Sequence, residues 1–214
     1  MKALRYNVVI AAIMVLAAGL PAYAQDEEPD HVRGRIVEDA GSSIVVETRD
    51  GETVRLATPE DLTVISLDKA SFTKVEFGSY VGAVAVRLDE FSPVVRDAVS
   101  YLHKGYELRI IDEELRGIAA GEKRWSLPPG AIAAHGWVDD MEDRILSIKY
   151  GPTEKEETDV EVPRDVPVTS MALAEDRSLI KEGAHVFAGA LKDDDGNYVA
   201  VFIFVGKGDV VPAL

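Results

Sequence analysis

Four histidines, His31, His103, His135 and His185, are the side chains of this sequence best suited to metal ligation or proton transfer. Two imidazoles converge on one metal when an HxH, HxxxH or HExxH spacing puts them on one face. None of these spacings occurs. His135 directly precedes Gly136, whereas His31 lies three residues before Gly34, so the two do not coincide in the repeat described below. The acidic pairs Asp89-Glu90, Asp139-Asp140 and Glu156-Glu157 are candidates for acid–base work. Adjacent carboxylates on a strand point to opposite faces, and in a turn they face water, so neither arrangement shifts a pKa by burial. The run Asp193-Asp194-Asp195-Gly196-Asn197 has its glycine too early and no closing Glu for a calcium loop, and reads as a hairpin turn. No Gly-x-Ser-x-Gly elbow is present, and Gly206-Lys207-Gly208 lacks the glycine spacing and hydroxyl of a phosphate-binding loop. With no cysteine the chain has no thiol nucleophile, thiolate metal site or disulfide. The reading is a non-enzyme with no catalytic residues, no metal ligands and no cofactor.

Binding is the chemistry left. Trp and Arg dominate binding hot spots when partly exposed, and Arg116, Arg124 and Trp125 fall in one stretch, with Trp137 close behind. Trp125 stands among Lys123, Arg124, Pro128 and Pro129, a setting in which an indole is not left wholly in water. It is expected to pack where two modules meet, and these four residues are the candidate binding patch.

The elements that hold these residues are organised as a repeat. Gly34, Ile44-Val45-Val46, Leu56, Pro59-Glu60-Asp61, Val64, Gly78, Val81 and Ala83 return as Gly136, Ile145-Leu146-Ser147-Ile148, Val160, Pro163-Arg164-Asp165, Val168, Gly183, Val186 and Ala188. The offset drifts from 102 at the first glycine to 104 at the proline and 105 at the second glycine, as in a duplicated module with small loop insertions. Asp50-Gly51 between Ile44–Thr48 and Glu52–Leu56 is a strong hairpin signal. Thr158 to Val162 alternates with period two, as a half-buried strand does. Tyr80 to Val86 is apolar almost throughout, which fits a strand covered on both faces. In Tyr198 to Val205, Val199, Val201 and Ile203 are expected to face one way, Phe202 and Phe204 the other. Single helical turns are expected within Lys69–Phe77 and Asp112–Gly117, and Gly121 to Gly130 reads as an ordered loop.

The fold class is therefore all-β: two tandem small OB- or SH3-like β-barrels joined by an ordered connector. A flat sandwich shared by both halves is the runner-up. Closure is favoured because a lone small sheet leaves two long edges unpaired. The expected boundaries are 1–24 for a signal peptide, 25–30 for an acidic lead-in, 31–111 for the first barrel, 112–131 for the connector and 132–214 for the second. Without disulfides, each repeat is expected to stand on its own hydrophobic core.

Lys2 and Arg5, the apolar run Val8 to Leu20 and the small-x-small site Ala22-Tyr23-Ala24 read as a cleavable export signal, too short to span a bilayer. The mature chain is thus expected to be periplasmic or secreted, with no membrane span. Loss of residues 1–24 takes the formal net charge from −15 to −17, because only Lys2 and Arg5 are charged there. Nucleic acids and anionic lipid demand a positive footprint, so the charge argues against both.

The order strand, Asp-Gly turn, strand, Pro-x-Asp, then Gly before an apolar strand resembles the uncharacterised exported β-barrel domains grouped as DUF5666. It is carried by Asp50-Gly51, Pro59-Glu60-Asp61 and Gly78, then by Pro163-Arg164-Asp165 and Gly183. Tyr150-Gly151-Pro152 stands where the second copy departs from the Asp-Gly turn. The resemblance implies fold and export, and brings no catalytic residues with it. The function expected is a non-catalytic exported binding or interaction module of the bacterial cell envelope, whose partner is an envelope protein or a small ligand. The alternative is a periplasmic carrier of a small ligand or a divalent cation.

Overall fold

The computed structural model describes residues 29–88, 102–117, 119–125, 128–153 and 156–212. The signal segment, most of the acidic lead-in and the turn expected at Asp89–Pro93 lie outside them. The described residues are all-β, with thirteen strands. The first six are β1 (Asp30–Asp39), β2 (Ser43–Thr48), β3 (Thr53–Ala57), β4 (Thr63–Lys69), β5 (Tyr80–Arg87) and β6 (Leu102–Ile111). After the short β7 (Gly121–Arg124) come β8 (Ala131–Glu142), β9 (Ile145–Lys149), β10 (Glu157–Glu161), β11 (Val168–Leu173), β12 (His185–Lys192) and β13 (Tyr198–Gly206). The two expected helical turns form as 3-10 turns at Phe72–Lys74 and Glu113–Leu115. Among the described residues no helix is long and apolar enough to cross a membrane.

The duplication is written into the strand registers. A β-bulge interrupts β1–β2 between Ile36 and Glu38, and its counterpart interrupts β8–β9 between Val138 and Asp140. A second pair of bulges falls at Tyr106 in β6, opposite Val84/Ala85 of β5, and at Val201 in β13, opposite Gly189/Ala190 of β12. Ile36 N–H donates to Ala184 O at 2.9 Å and Gly183 N–H to Ile36 O at 2.8 Å. Val138 N–H donates likewise to Ser79 O at 2.9 Å and Gly78 N–H to Val138 O at 2.8 Å. The glycines of the repeat have two separate causes. Gly34 and Gly136 sit where a Cβ would lie 2.0 Å from the Glu47 carbonyl oxygen and 2.4 Å from that of Lys149. Gly78 and Gly183 turn the chain at φ +79° and +86°, a region that L side chains rarely enter.

These bonds also join the repeats in an unexpected order. The chain forms two compact units, one from residues 1–68 and 173–214, the other from 69–172. Unit 1 takes β1 to β4 from the first repeat and the hairpin β12–β13 from the second. Its pairings run β3-β2-β1-β12-β13, and β13 meets β3 in parallel through Tyr198↔Leu56 and Val199↔Ala57. Unit 2 takes β8 to β11 from the second repeat and β5–β6 from the first. It runs β10-β9-β8-β5-β6, and β6 meets β10 in parallel through His103↔Val160. β4 adds to β13 and β11 to β6, both in parallel.

The all-β expectation holds at that level, while the domain boundaries 31–111 and 132–214 do not match the compact units. Neither repeat forms a barrel of its own, because the closing hairpin of each bonds to the opening strands of the other. The two cores show the same exchange. Ile36, Ile44, Val46 and Leu56 pack with Val186, Ala188, Ile203 and Val205 in unit 1. Val81, Ala83 and Leu108 pack with Val138, Leu146, Ile148 and Val160 in unit 2.

Two local expectations are also corrected. The bulge opposite Gly189/Ala190 leaves Val201 unpaired, so Ala200, Ile203 and Val205 face the core and Val201 is exposed. Part of the stretch read as a loop is strand β7, which pairs with β8 from Gly121↔His135 to Arg124↔Ile132.

Candidate functional site

At one end of the unit 2 strands a cavity of about 720 Å³ opens. Every strand of the unit's pairing path reaches it. Arg87 closes β5 opposite His103 near the start of β6, and His103 in turn faces Val160 of β10. Thr158 and Glu157 open β10, and Tyr150 follows β9. Arg124 ends β7, and Trp125 beyond it donates its backbone N–H to Ala131 O at 2.8 Å at the start of β8. All of these residues except Val160 line the cavity.

Local chemistry holds the lining in place. Thr158 is buried and its hydroxyl donates to Glu122 Oε2 at 2.9 Å, which ties β7 to β10 side chain to side chain. Tyr150 is set by its N–H donating to Glu156 O at 2.8 Å, and the Glu156 carboxylate accepts from Thr153 N and Oγ1 at 3.2 and 2.7 Å. His103 is buried, Trp125, Tyr150 and Glu157 are half-buried, and Arg87, Arg124 and Glu122 are exposed. The lining joins two guanidinium groups, two carboxylates, an imidazole and two aromatic rings. That mixture is suited to holding a small polar molecule by charge-assisted hydrogen bonds against an aromatic wall.

The sequence candidates divide in two. Arg124 and Trp125 meet in this cavity of unit 2, whose lining comes from both repeats, Arg87 and His103 from the first and Ile132, Tyr150, Glu157 and Thr158 from the second. Arg116 and Trp137 are not among its lining residues. Arg116 pairs with Glu113 at 3.4 Å beside the 3-10 turn. Trp137 is 41% exposed and packs edge-on to the buried Tyr80, ring centroids 4.7 Å apart. Of the other lining residues, sequence reasoning weighed His103 and Glu157 only for metal or acid–base chemistry, and it missed Arg87, Glu122, Tyr150 and Thr158. The Tyr150-Gly151-Pro152 departure was a signal for one of them, since it marks the longer β9–β10 loop that delivers Tyr150.

A second polar group lies on β6, β5 and β8. Buried Glu107 accepts from Arg109 Nε at 2.7 Å and Nη2 at 2.9 Å, a bidentate ion pair. Gly82 of β5 faces both Arg109 of β6 and His135 of β8. A Cβ at Gly82 would lie 2.7 Å from His135 Cδ2, so the bare glycine makes room for the imidazole. Burial, helped by the charges of Arg109 and Lys123, pushes His135 down to about 4. It is neutral at ordinary pH. The Asp193–Asn197 run is the turn expected of it: Asp193 Oδ1 accepts from Asp195 N and Asn197 N at 3.0 and 2.8 Å. Among the described residues no cluster of three or more His, Asp or Glu is arranged to hold a metal ion.

No family model, no curated protein and no solved structure matches this chain.

Proposed function

We propose that this protein is a non-catalytic exported binding module of the bacterial cell envelope, and that the unit 2 cavity holds its ligand. The observation that carries the reading is a cavity of about 720 Å³ lined by Arg87, Arg124, Trp125, Tyr150 and two carboxylates. That volume lies within the ~300–1,000 Å³ of small-molecule sites, which favour the open ends of closed strand arrangements. The internal duplicate supports it as well. Where unit 1 joins β12 to β13 with five residues and β2 to β3 with four, the corresponding joints of unit 2 have fourteen and seven. Among the described residues strand β7 has no counterpart in unit 1. Tyr150 of the longer β9–β10 joint and Glu122 and Arg124 of β7 line the cavity.

Export, a periplasmic location and the kinship with DUF5666 domains belong to this proposal and rest on the N-terminal segment and the turn positions. The OB- or SH3-like reading of each unit rests on the return pairings β3–β13 and β6–β10. A small-ligand carrier would use the same cavity.

Native mass spectrometry of the mature protein, purified gently from the periplasm with and without chelator, tests the reading. Extra mass that survives chelator and disappears in Trp125→Ala is the expected result, with the variant still folded. A bare wild-type protein, or a Trp125→Ala protein that merely unfolds, contradicts it.

A further inference from the structure

The cavity is electrically balanced on a chain whose formal net charge is −15. Its two cations are Arg87 and Arg124, its two anions Glu122 and Glu157. Glu122 is oriented by the Thr158 hydroxyl. Among the described residues neither Arg124 nor Glu157 takes part in an ion pair, although they line the same cavity. A ligand that fills such a site removes water from both charges. An anion then leaves Glu157 desolvated and uncompensated, a cation leaves Arg124 so, and a neutral molecule leaves both. A molecule carrying one charge of each sign satisfies both.

We propose, resting on the binding reading above, that the cavity takes a small zwitterion with a free ammonium and a free carboxylate, namely a short peptide. Arg124, with Arg87 beside the same space, receives the carboxylate through paired N–H donors, the geometry in which a guanidinium binds best. Glu157 receives the ammonium. Trp125 and Tyr150 supply the apolar surface against which the peptide's side chains and Cα–H groups lie. Three extended residues span about 10 Å, a length compatible with a cavity of about 720 Å³.

The test uses the full mature chain carrying Trp137→Phe, which leaves Trp125 as the single indole reporter. Trialanine, its N-acetylated and C-amidated form and maltotriose are titrated against Trp125 emission and by calorimetry. The expected result is saturable binding of trialanine and at least tenfold weaker binding of the blocked peptide. Arg124→Gln and Glu157→Gln should each weaken trialanine at least tenfold without moving the unfolding midpoint. Equal affinity for the blocked form, or no saturation by trialanine at millimolar concentration, overturns the assignment. Binding of maltotriose in its place overturns the zwitterion and leaves the binding reading standing. A protein that ignores every probe and also flies bare in native mass spectrometry ends both.

Discussion

Gly34 and Gly136 hold their places because a backbone carbonyl occupies the space a side chain would need. An added Cβ would lie 2.0 Å from Glu47 O and 2.4 Å from Lys149 O, and a carbonyl within a sheet has little freedom to yield. Gly34→Ala and Gly136→Ala should each cost about 3 kcal/mol in urea unfolding, in the upper range for a strained core position. Two polar residues of unit 2 are set against an internal control. Register equates Glu107 and Arg109 with Phe202 and Phe204, since Val84↔Glu107 matches Gly189↔Phe202 on strands bulged alike. Glu107→Ala breaks the buried ion pair with Arg109 and should cost about 3–5 kcal/mol. The double replacement Glu107→Phe with Arg109→Phe, which copies unit 1, should recover most of that loss. His135 sets a pH dependence of definite sign. Its folded pKa of about 4 lies below the ordinary value near 6.5. The unfolded chain therefore takes up a proton between those limits that the folded chain refuses, and stability falls as pH drops through that window. Relative to His135→Gln, the wild type should lose up to about 2 kcal/mol between pH 7 and pH 5, read from denaturation midpoints.

At the scale of elements, local chemistry was legible wherever one strand and its turn decide the outcome. Thr158, Val160 and Val162 are buried on alternate positions, and Asp50-Gly51 closes the β2–β3 hairpin with Gly51 at φ +80°. The misreadings come from pairing that sequence does not display. Val201 breaks its alternation because β13 itself bulges there, Ala200 and Phe202 pairing with the adjacent Ala190 and Gly189. β7 is a strand because β8 offers it an edge, although Glu122, Lys123 and Arg124 carry no apolar alternation. The candidate site was half legible for the same reason. Arg124 and Trp125 stand out by type and neighbourhood, while Arg87, Tyr150 and Glu157 come to the cavity from three other strand ends. Replacing the seven residues 150–156 by the four-residue turn Arg-Asp-Gly-Glu of the β2–β3 hairpin removes Tyr150 from the cavity. The protein should keep its unfolding midpoint within about 1 kcal/mol, since surface loops tolerate length changes, while ligand affinity measured by Trp125 emission drops at least tenfold.

At the scale of the whole molecule, the duplication could be read residue by residue, but not which hairpin completes which unit. Both repeats present the same edge and the same closing hairpin, so local sequence serves either pairing equally well. Only the structure reveals that Gly34 lies beside Val186 and Gly136 beside Val81. The expectation that each repeat stands on its own core fails on this point, because each core is built from both. The body that carries the cavity is nevertheless continuous in sequence, from residue 69 to 172. The measurement that tests this account most directly compares two fragments, 69–172 and the single repeat 31–111, by urea unfolding and sedimentation. The account predicts that 69–172 unfolds cooperatively as a monomer with the Trp125 emission of the full chain, and that 31–111 is unfolded or self-associated. A cooperative, monomeric 31–111 beside an unfolded 69–172 would contradict it.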